Sequence, residues 1–487
     1  MDDKIKKWTI FIIIISATFM STLDGSIVNV ALPKMAEALG VTTSKIQWVV
    51  TSYLVVISAV ILIFGRLGDM FGKTTVFKIG LSLFTLGSFL CGITSSFNIL
   101  ILARVVQAIG AAGTMANNQG IVTEIFPANE RGKALGLIGT AVALGSLVGP
   151  GLGGFIVGSF HWKFIFLINV PIGIIALFYA FKLLPTSNRT SSEKIDIVGA
   201  LLFIFTIIPL FMSLNEGINL GFTSPMILLG FAIAAICFIS FIILEKKISS
   251  PLIQLDIFKN KLFSISIFCG FVSFVAIFCH NIILPFYLQD LMGYSPQKAG
   301  MILMAYPLIL MVVAPLSGSL SDKIGSELLT FFGLIVGSIG LFLMSTLNDN
   351  SKVIVMVIFI AVMSAGMGIF QSPNNSLIMS TVPKNKLGIA GSINALVRNV
   401  GMSTGIALAT TLLYTQMSSK IGYRVTDFVS GRNDVFIYGM KRVYIVAGAI
   451  CMIGAVLTFY RMYKNSKEKK ALDEELCDNI KSGNGVY

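Results

Sequence analysis

Fourteen apolar runs, each long enough to cross a lipid bilayer, recur along this chain and limit its fold more than any other feature. One membrane helix takes about 20 mostly apolar residues. The runs fall at roughly 8–30, 47–65, 75–96, 98–123, 134–158 and 164–184, then at 196–216 and 225–244, then at 263–288, 298–320, 328–347, 352–378, 388–414 and 442–462. Asn117, Asn118, Gln119 and many glycines dilute the fourth and fifth. Charged residues are 12% of the 487, about half the share in a soluble chain and too few to coat a water-soluble surface. The expected fold is an all-α polytopic membrane protein. A soluble enzyme, a disordered chain and a secreted disulfide scaffold are excluded. A β-barrel is disfavoured because the apolar residues do not alternate.

The net charge of +13 raises nucleic acid as a partner, but its distribution fits the positive-inside bias of membrane proteins better. With both termini on one side, that side carries 24 Lys and Arg and the other carries 10, leaving Arg104 and Arg398 inside runs. Both termini are therefore expected in the cytoplasm. Trp8, Trp48 and Trp162 sit at run starts, where amphipathic rings favour the interface. The first run follows Lys4, Lys6 and Lys7 like a signal peptide, but no small-residue cleavage site follows it and Asp24 interrupts it. It is read as a retained first span. Five of the six cysteines lie in apolar runs and none forms a C-x-x-C pair, so they read as small apolar fillers.

The chain repeats itself. Gly110, Asn118, Pro127, Gly132, Gly145 and Gly149 match Gly366, Asn374, Pro383, Gly388, Gly401 and Gly405 at a constant offset of 256. Gly65, Leu67, Asp69 and Gly72 match Gly318, Leu320, Asp322 and Gly325 at an offset of 253. Each offset spans eight runs, so the two halves share one orientation. The expected organisation is a six-helix bundle over 1–185, two inserted helices over 186–250, a second six-helix bundle over 251–465 and a cytoplasmic tail over 466–487. Parallel repeats of this kind are a transporter design, with a path between the halves.

Two local patterns stand out. Gly65-Arg66-Leu67-Gly68-Asp69-Met70-Phe71-Gly72-Lys73 reads as a tight loop after the second run. Its glycines would let the turn press on neighbouring helices. Asp69 would cap a helix or pair with an Arg of the opposite half, with Glu130-Arg131-Gly132-Lys133 supplying further partners on the same face. A plain charged turn is the bland alternative to a gating latch. The second pattern joins Gly145, Gly149, Pro150, Gly153 and Gly154 in one run. A G-x-x-x-G pair alone marks many close helix contacts. The added proline and glycine pair describe a thin, bendable helix.

These segments resemble the conserved loop motif and the antiporter motif of the major facilitator superfamily. Leu23-Asp24-Gly25-Ser26-Ile27-Val28-Asn29-Val30-Ala31-Leu32-Pro33 resembles the first-span signature of its 14-helix drug:proton antiporter branch. Further matches are Arg104-Val105-Val106-Gln107, the stretch from Trp162 to Gly173, Tyr287-Leu288-Gln289, Pro373-Asn374-Asn375 and Arg398-Asn399-Val400-Gly401. The resemblance covers nearly the whole chain, with Ala108 where a glycine is usual. It implies a major facilitator fold in a bacterial plasma membrane. It also implies export of small hydrophobic or cationic compounds against proton entry, with lipid around the protein, a monomeric state, no cofactor and no nucleic acid. A lipid or fatty-acid exporter of the same fold is the alternative. The absence of deep acids in the last six runs speaks against broad export of dications.

Ionisable groups inside spans are costly and mark function by default. Asp24 is either a capping carboxylate or the proton and substrate site, and Arg104 reaches the same layer as a partner. Arg398 either pairs with backbone carbonyls or meets substrate. His280 is either a satisfied helix–helix contact or a proton relay. Glu124 and Glu216 read as interfacial. Asn29, Gln107, Asn118, Gln371 and Asn374 either line a cavity or bridge helices. No P-loop, metal-ligand cluster or nucleophile constellation occurs in the sequence, which argues against an integral-membrane enzyme.

Overall fold

The computed structural model describes residues 3–126, 128–184, 196–248, 251–253, 255–382 and 387–481, without the side chains of 3–6, 123, 128–133, 135–136, 218, 322, 387–389 and 464–481. Among the described residues all regular structure is helical, and fourteen helices are long and apolar enough to cross a membrane. Spans 1 to 6 are Lys7–Leu39, Thr43–Phe71, Lys73–Ile93, Phe97–Val122, Leu137–Ser159 and Phe164–Leu183. Spans 7 and 8 are Ile197–Gly217 and Pro225–Glu245. Spans 9 to 14 are Lys261–Leu291, Pro296–Ser321, Ser326–Met344, Val353–Ser380, Ala390–Ile421 and Asn433–Tyr463. Helices prevail because hydrocarbon offers no partner to backbone N–H and C=O groups, so each segment must satisfy its own.

Several spans outrun their apolar runs. Span 1 continues through Lys34 and Glu37 to Leu39, and span 14 starts at Asn433 rather than near 442. Apolarity reports only the hydrocarbon-embedded part, whereas helical hydrogen bonding continues into the interface. The sequence between Gly65 and Phe71 is likewise not a loop. The helix from Trp48 runs to Phe71, and Gly72 alone makes the turn, with φ of 92°. Its repeat partner Gly325 turns the second half with φ of 91°. A side chain at either place would meet the steric cost of left-handed backbone.

The repeat is visible in packing. In the first half Gly80 and Gly110 bring spans 3 and 4 together, and in the second Gly333, Gly337 and Gly366 do the same for spans 11 and 12. Gly145 lies against the Phe19 carbonyl of span 1, and Gly401 lies against the Phe271 carbonyl of span 9. Lipid supplies no hydrophobic drive between helices, so close approach through small residues carries the association.

Spans 7 and 8 form a hairpin outside the repeat. Span 7 packs on span 2 of one bundle and span 13 of the other, while span 8 packs on span 7. Trp48 Nε1 donates to Glu216 Oε1 at 2.8 Å, fixing span 7 to span 2. Buried Glu245 accepts from the Leu252 and Ile253 amides at 3.3 and 3.0 Å and so holds the chain leaving span 8.

The polar contacts between the bundles gather at the helix ends remote from the termini, called the distal end below. There Gln289 Nε2 donates to the Val30 carbonyl at 3.0 Å, and Thr43 Oγ1 donates to Asp427 Oδ1 at 2.9 Å. Thr43 also bonds Tyr414, and Thr410 bonds Gln47. Gln289 sits in a π-helical turn, Tyr287–Leu291, a local irregularity common at functional places.

Candidate functional site

The side chain of Asp24 is fully buried halfway along span 1. Arg104 of span 4 meets it, with Nη1 donating to Asp24 Oδ2 at 2.5 Å. Gln107, one turn further on span 4, donates from Nε2 to Asp24 Oδ1 at 2.8 Å. Asn169 approaches the same oxygen at 3.5 Å. It stands just past Ile168, where span 6 breaks between two helical pieces. The carboxylate is therefore satisfied by three donors from spans 4 and 6.

A second ring of contacts fixes the donors. Arg104 Nε donates to the Val49 carbonyl at 2.8 Å, and its Nη1 also reaches Gln107 Oε1 at 2.7 Å. The guanidinium lies 4.2 Å from the centre of the Tyr53 ring and 5.5 Å from that of Phe166. Gln107 Nε2 donates to Ser88 Oγ at 2.9 Å. Taking each ion out of water costs several kcal/mol, and mutual attraction offsets this only with good geometry and full hydrogen bonding. Both conditions are met, so the pair is stable while both partners remain charged. Of these groups, Val49, Tyr53, Ser88, Phe166 and Asn169 had not been singled out from sequence. Asn169 lies in the motif running from Trp162 to Gly173, which was the available signal.

The second bundle lacks this cluster. Gly87 packs on Gln107, and its repeat partner Gly340 packs on Met363. In the same register Ile360 replaces Arg104 and Ala276 replaces Asp24. The second bundle instead buries His280, whose Nδ1 lies 3.2 Å from the Tyr444 hydroxyl, with the Tyr306 ring 6.1 Å away. His280 joins spans 9 and 14, a helix–helix contact.

The glycine-rich span 5 presents two stripes. Gly145, Gly149 and Gly153 face span 1, where Ser26 Oγ donates to the Gly145 carbonyl at 3.0 Å. Pro150 and Gly154 face span 10 of the other bundle. A Cβ on Gly154 would stand 2.5 Å from the Pro296 carbonyl, and one on Gly300 would stand 2.5 Å from the Pro150 carbonyl. The proline and the second glycine thus serve a different partner from the G-x-x-x-G pair.

In the loop motif, Lys73 crosses Gly120 and donates to Glu124 at 2.6 Å, and lies 3.8 Å from Asp69. Lys73, in the same bundle, is thus one partner of Asp69. Gly65 has open space where a Cβ would stand, so close packing does not explain it here. Gly68 lies against the Asn117 amide. Glu130 to Lys133 belong to a helix, Ala128–Ser159, and the side chain of Arg131 lies outside the described residues.

The amides divide. Asn118 donates to Thr18 of span 1 at 2.8 Å, and its repeat partner Asn374 donates to the Ser266 carbonyl of span 9 at 3.0 Å. Both are buried helix bridges. Asn29 is buried with its carbonyl oxygen unpartnered among the described residues. Gln371 and Arg398 keep accessible surface and make no hydrogen bond among the described residues. Two cations counted at span ends are interior. Lys78 donates to the Leu184 carbonyl at 2.9 Å, and Arg461 reaches Ser266 and Thr330, each at 2.9 Å. Their nearness to the ends of the apolar runs had hidden this.

Comparison with known proteins follows this geometry. A family model described as Major Facilitator Superfamily matches residues 14–406. The riboflavin transporter RibZ of Clostridioides difficile (strain 630) is 36% identical over 467 residues, covering 95% of this chain and 99% of that protein. The multidrug transporter protein MdtP of Bacillus subtilis (strain 168) is 32% identical over 415 residues, covering 85% of this chain and 76% of that protein. A solved bacterial homologue of the human lysosomal transporter Spinster superposes with a TM-score of 0.64 at 13% identity, covering 92% of this chain and 95% of that one.

Proposed function

The chain belongs to the major facilitator superfamily and is a transporter rather than an enzyme, and from that premise we propose that it exports small, largely hydrophobic compounds in exchange for protons. The observation that carries this reading is the Asp24–Arg104–Gln107–Asn169 cluster, a satisfied charge pair in one bundle only, beside the glycine stripe that seats span 1 on span 5. A proton arriving on Asp24 would leave Arg104 without a counter-ion in a dry setting. That loss is large enough to favour a different placement of span 1 against span 4. Ser26, two residues from Asp24, carries the shift to span 5 and so to the interface of Gly154 with Gly300.

The charge bias supports cytoplasmic termini in a bacterial plasma membrane. In that orientation the distal contacts close the outer face. The accessible polar residues Gln119, Asn375 and Asn394, at the terminus-side ends of their spans, lie toward the cytoplasm. Cargo would load from that side, and parting of the distal contacts would release it and admit protons. Efflux from proteoliposomes holding the purified protein tests the reading. Export that rises with an imposed inward proton gradient is expected, and gradient-independent transport would refute the coupling.

A second reading rests on the riboflavin transporter's likeness along almost the whole chain. It assigns a planar heteroaromatic metabolite as cargo. Riboflavin movement across the same proteoliposomes, with and without the gradient, separates the two.

A further inference from the structure

Span 13 is an enclosed helix. Spans 2, 7, 9 and 14 pack around it, and no residue from Gly391 to Tyr414 is fully exposed. Arg398 lies on it, eight residues in from Ala390, or about 12 Å at 1.5 Å per residue. Its side chain is surrounded by protein yet keeps some accessible surface. Among the described residues it makes no hydrogen bond and no ion pair. Of the two partners that the sequence offered, backbone carbonyls and substrate, no carbonyl among the described residues bonds it.

Uncharged polar residues stand at neighbouring levels of spans 12 and 13. Asn394 lies one turn nearer the terminus side and donates to Asn375 Oδ1 of span 12 at 3.1 Å, in an exposed contact that water reaches. Gln371 lies one turn deeper than Asn375 on span 12 and is partly accessible. From the first bundle, Gln119 Oε1 stands 3.3 Å from where a Cβ on Gly391 would be. Of the acids inside the spans, Asp290 lies in the distal π-helical turn of span 9, at the opposite end from Arg398, and three others are engaged elsewhere. Asp24 is held by Arg104, Glu216 by Trp48, and Glu245 by two backbone amides.

We propose that Arg398 is an anion-recognition group of the cargo site, and that the preferred cargo is a small amphiphile whose apolar or aromatic body carries a carboxylate. A guanidinium presents a rigid fork that matches a carboxylate with two parallel hydrogen bonds. An unpaired cation at this depth is unfavourable, and an anionic cargo supplies the missing counter-ion. Gln371, which makes no hydrogen bond among the described residues, and the carbonyl oxygen of Asn394 are the nearby groups that could meet the polar edge of that cargo. The same arrangement repels a cation, which narrows the charge that the export reading leaves open. The inference rests on that reading only for what the site is used for, because binding can be measured at equilibrium without transport.

The test uses the full chain in nanodiscs of phosphatidylcholine, with 1-pyrenebutyrate and its carboxamide, 1-pyrenebutyramide, as fluorescent probes. Wild type should bind the carboxylate at least tenfold more tightly than the amide. Arg398→Gln should abolish that preference while binding the amide unchanged, and Arg398→Lys should keep part of it. If Arg398→Gln fails to fold, the wild-type ratio and the Arg398→Lys ratio still decide. Equal affinity of wild type for the two probes, absence of binding, or an undiminished preference in either variant would overturn the proposal. Phosphatidylglycerol added to the discs separates cargo from lipid. Unchanged probe binding supports a cargo site, whereas loss of binding assigns Arg398 to a lipid headgroup and overturns it. Carboxylate-selective binding without proton-driven export would leave the site in place and refute only the export reading.

Discussion

Arg104 Nη1 lies 2.5 Å from Asp24 Oδ2 in the first bundle, and the related places in the second bundle hold Ile360 and Ala276. Two halves built on one repeat thus differ at their centres. One holds an ion pair, the other a His280–Tyr444 contact.

Asp24→Asn should abolish proton-driven export while the protein still inserts. The amide preserves an oxygen for Arg104 but removes the charge. Truncating one partner of a buried pair costs about 3–5 kcal/mol, so Arg104→Ala should lower the unfolding temperature markedly. The double variant Asp24→Asn, Arg104→Gln should recover stability without recovering coupling. Thermal unfolding and proteoliposome efflux read the two effects separately. Full coupled transport by Asp24→Asn would remove Asp24 as the carrier.

Gly149→Val and Gly154→Val should fail in different ways. The first pushes into Ser26 and Ile27 of span 1 within one bundle, so stability falls. The second wedges Pro296 and Gly300 of the other bundle, so the distal face should not close. Thiol labelling of Thr410→Cys from the distal side should rise in the Gly154→Val background and stay low otherwise. Equal labelling in both backgrounds would contradict the two-stripe assignment.

Asp69→Asn removes, among its interactions, a half-exposed pair with Lys73 at 3.8 Å, which contributes about 0–1 kcal/mol. That is still up to about fivefold in a two-state balance. Cysteine accessibility from the terminus side should shift by a few-fold at most. A tenfold shift would point to stronger partners for Asp69, and no shift would reduce it to an ordinary helix-end residue.

Glu216→Leu should weaken span 7 on span 2, with a loss of about 1–3 kcal/mol from leaving the Trp48 N–H unpaired. Substitutions to polar residues on the outward face of span 8, such as Leu229 and Ile236, should reduce insertion without altering cargo preference. Ratios of transport for two cargoes, measured on variants with normal expression, check this. A changed ratio would place the hairpin on the transport path.

The sequence by itself determined the number of spans and the duplication, because bilayer thickness and backbone hydrogen bonding leave a one-dimensional trace, and it marked a glycine-rich turn after span 2 without showing that Gly72 alone makes it. It also brought Asp24 and Arg104 together, since an unpaired charge in hydrocarbon demands a partner at its own depth. What only the tertiary structure decided depends on which helix faces which. Span 5 divides its small residues between span 1 and span 10. Asn118 and Asn374 bridge helices while Gln371 stays accessible. Arg461 turns inward, and Arg398 stands without a partner among the described residues. Linear spacing gives depth along a helix but not its azimuth toward neighbours distant in sequence, and those contacts separate a structural amide or cation from one left free for a ligand.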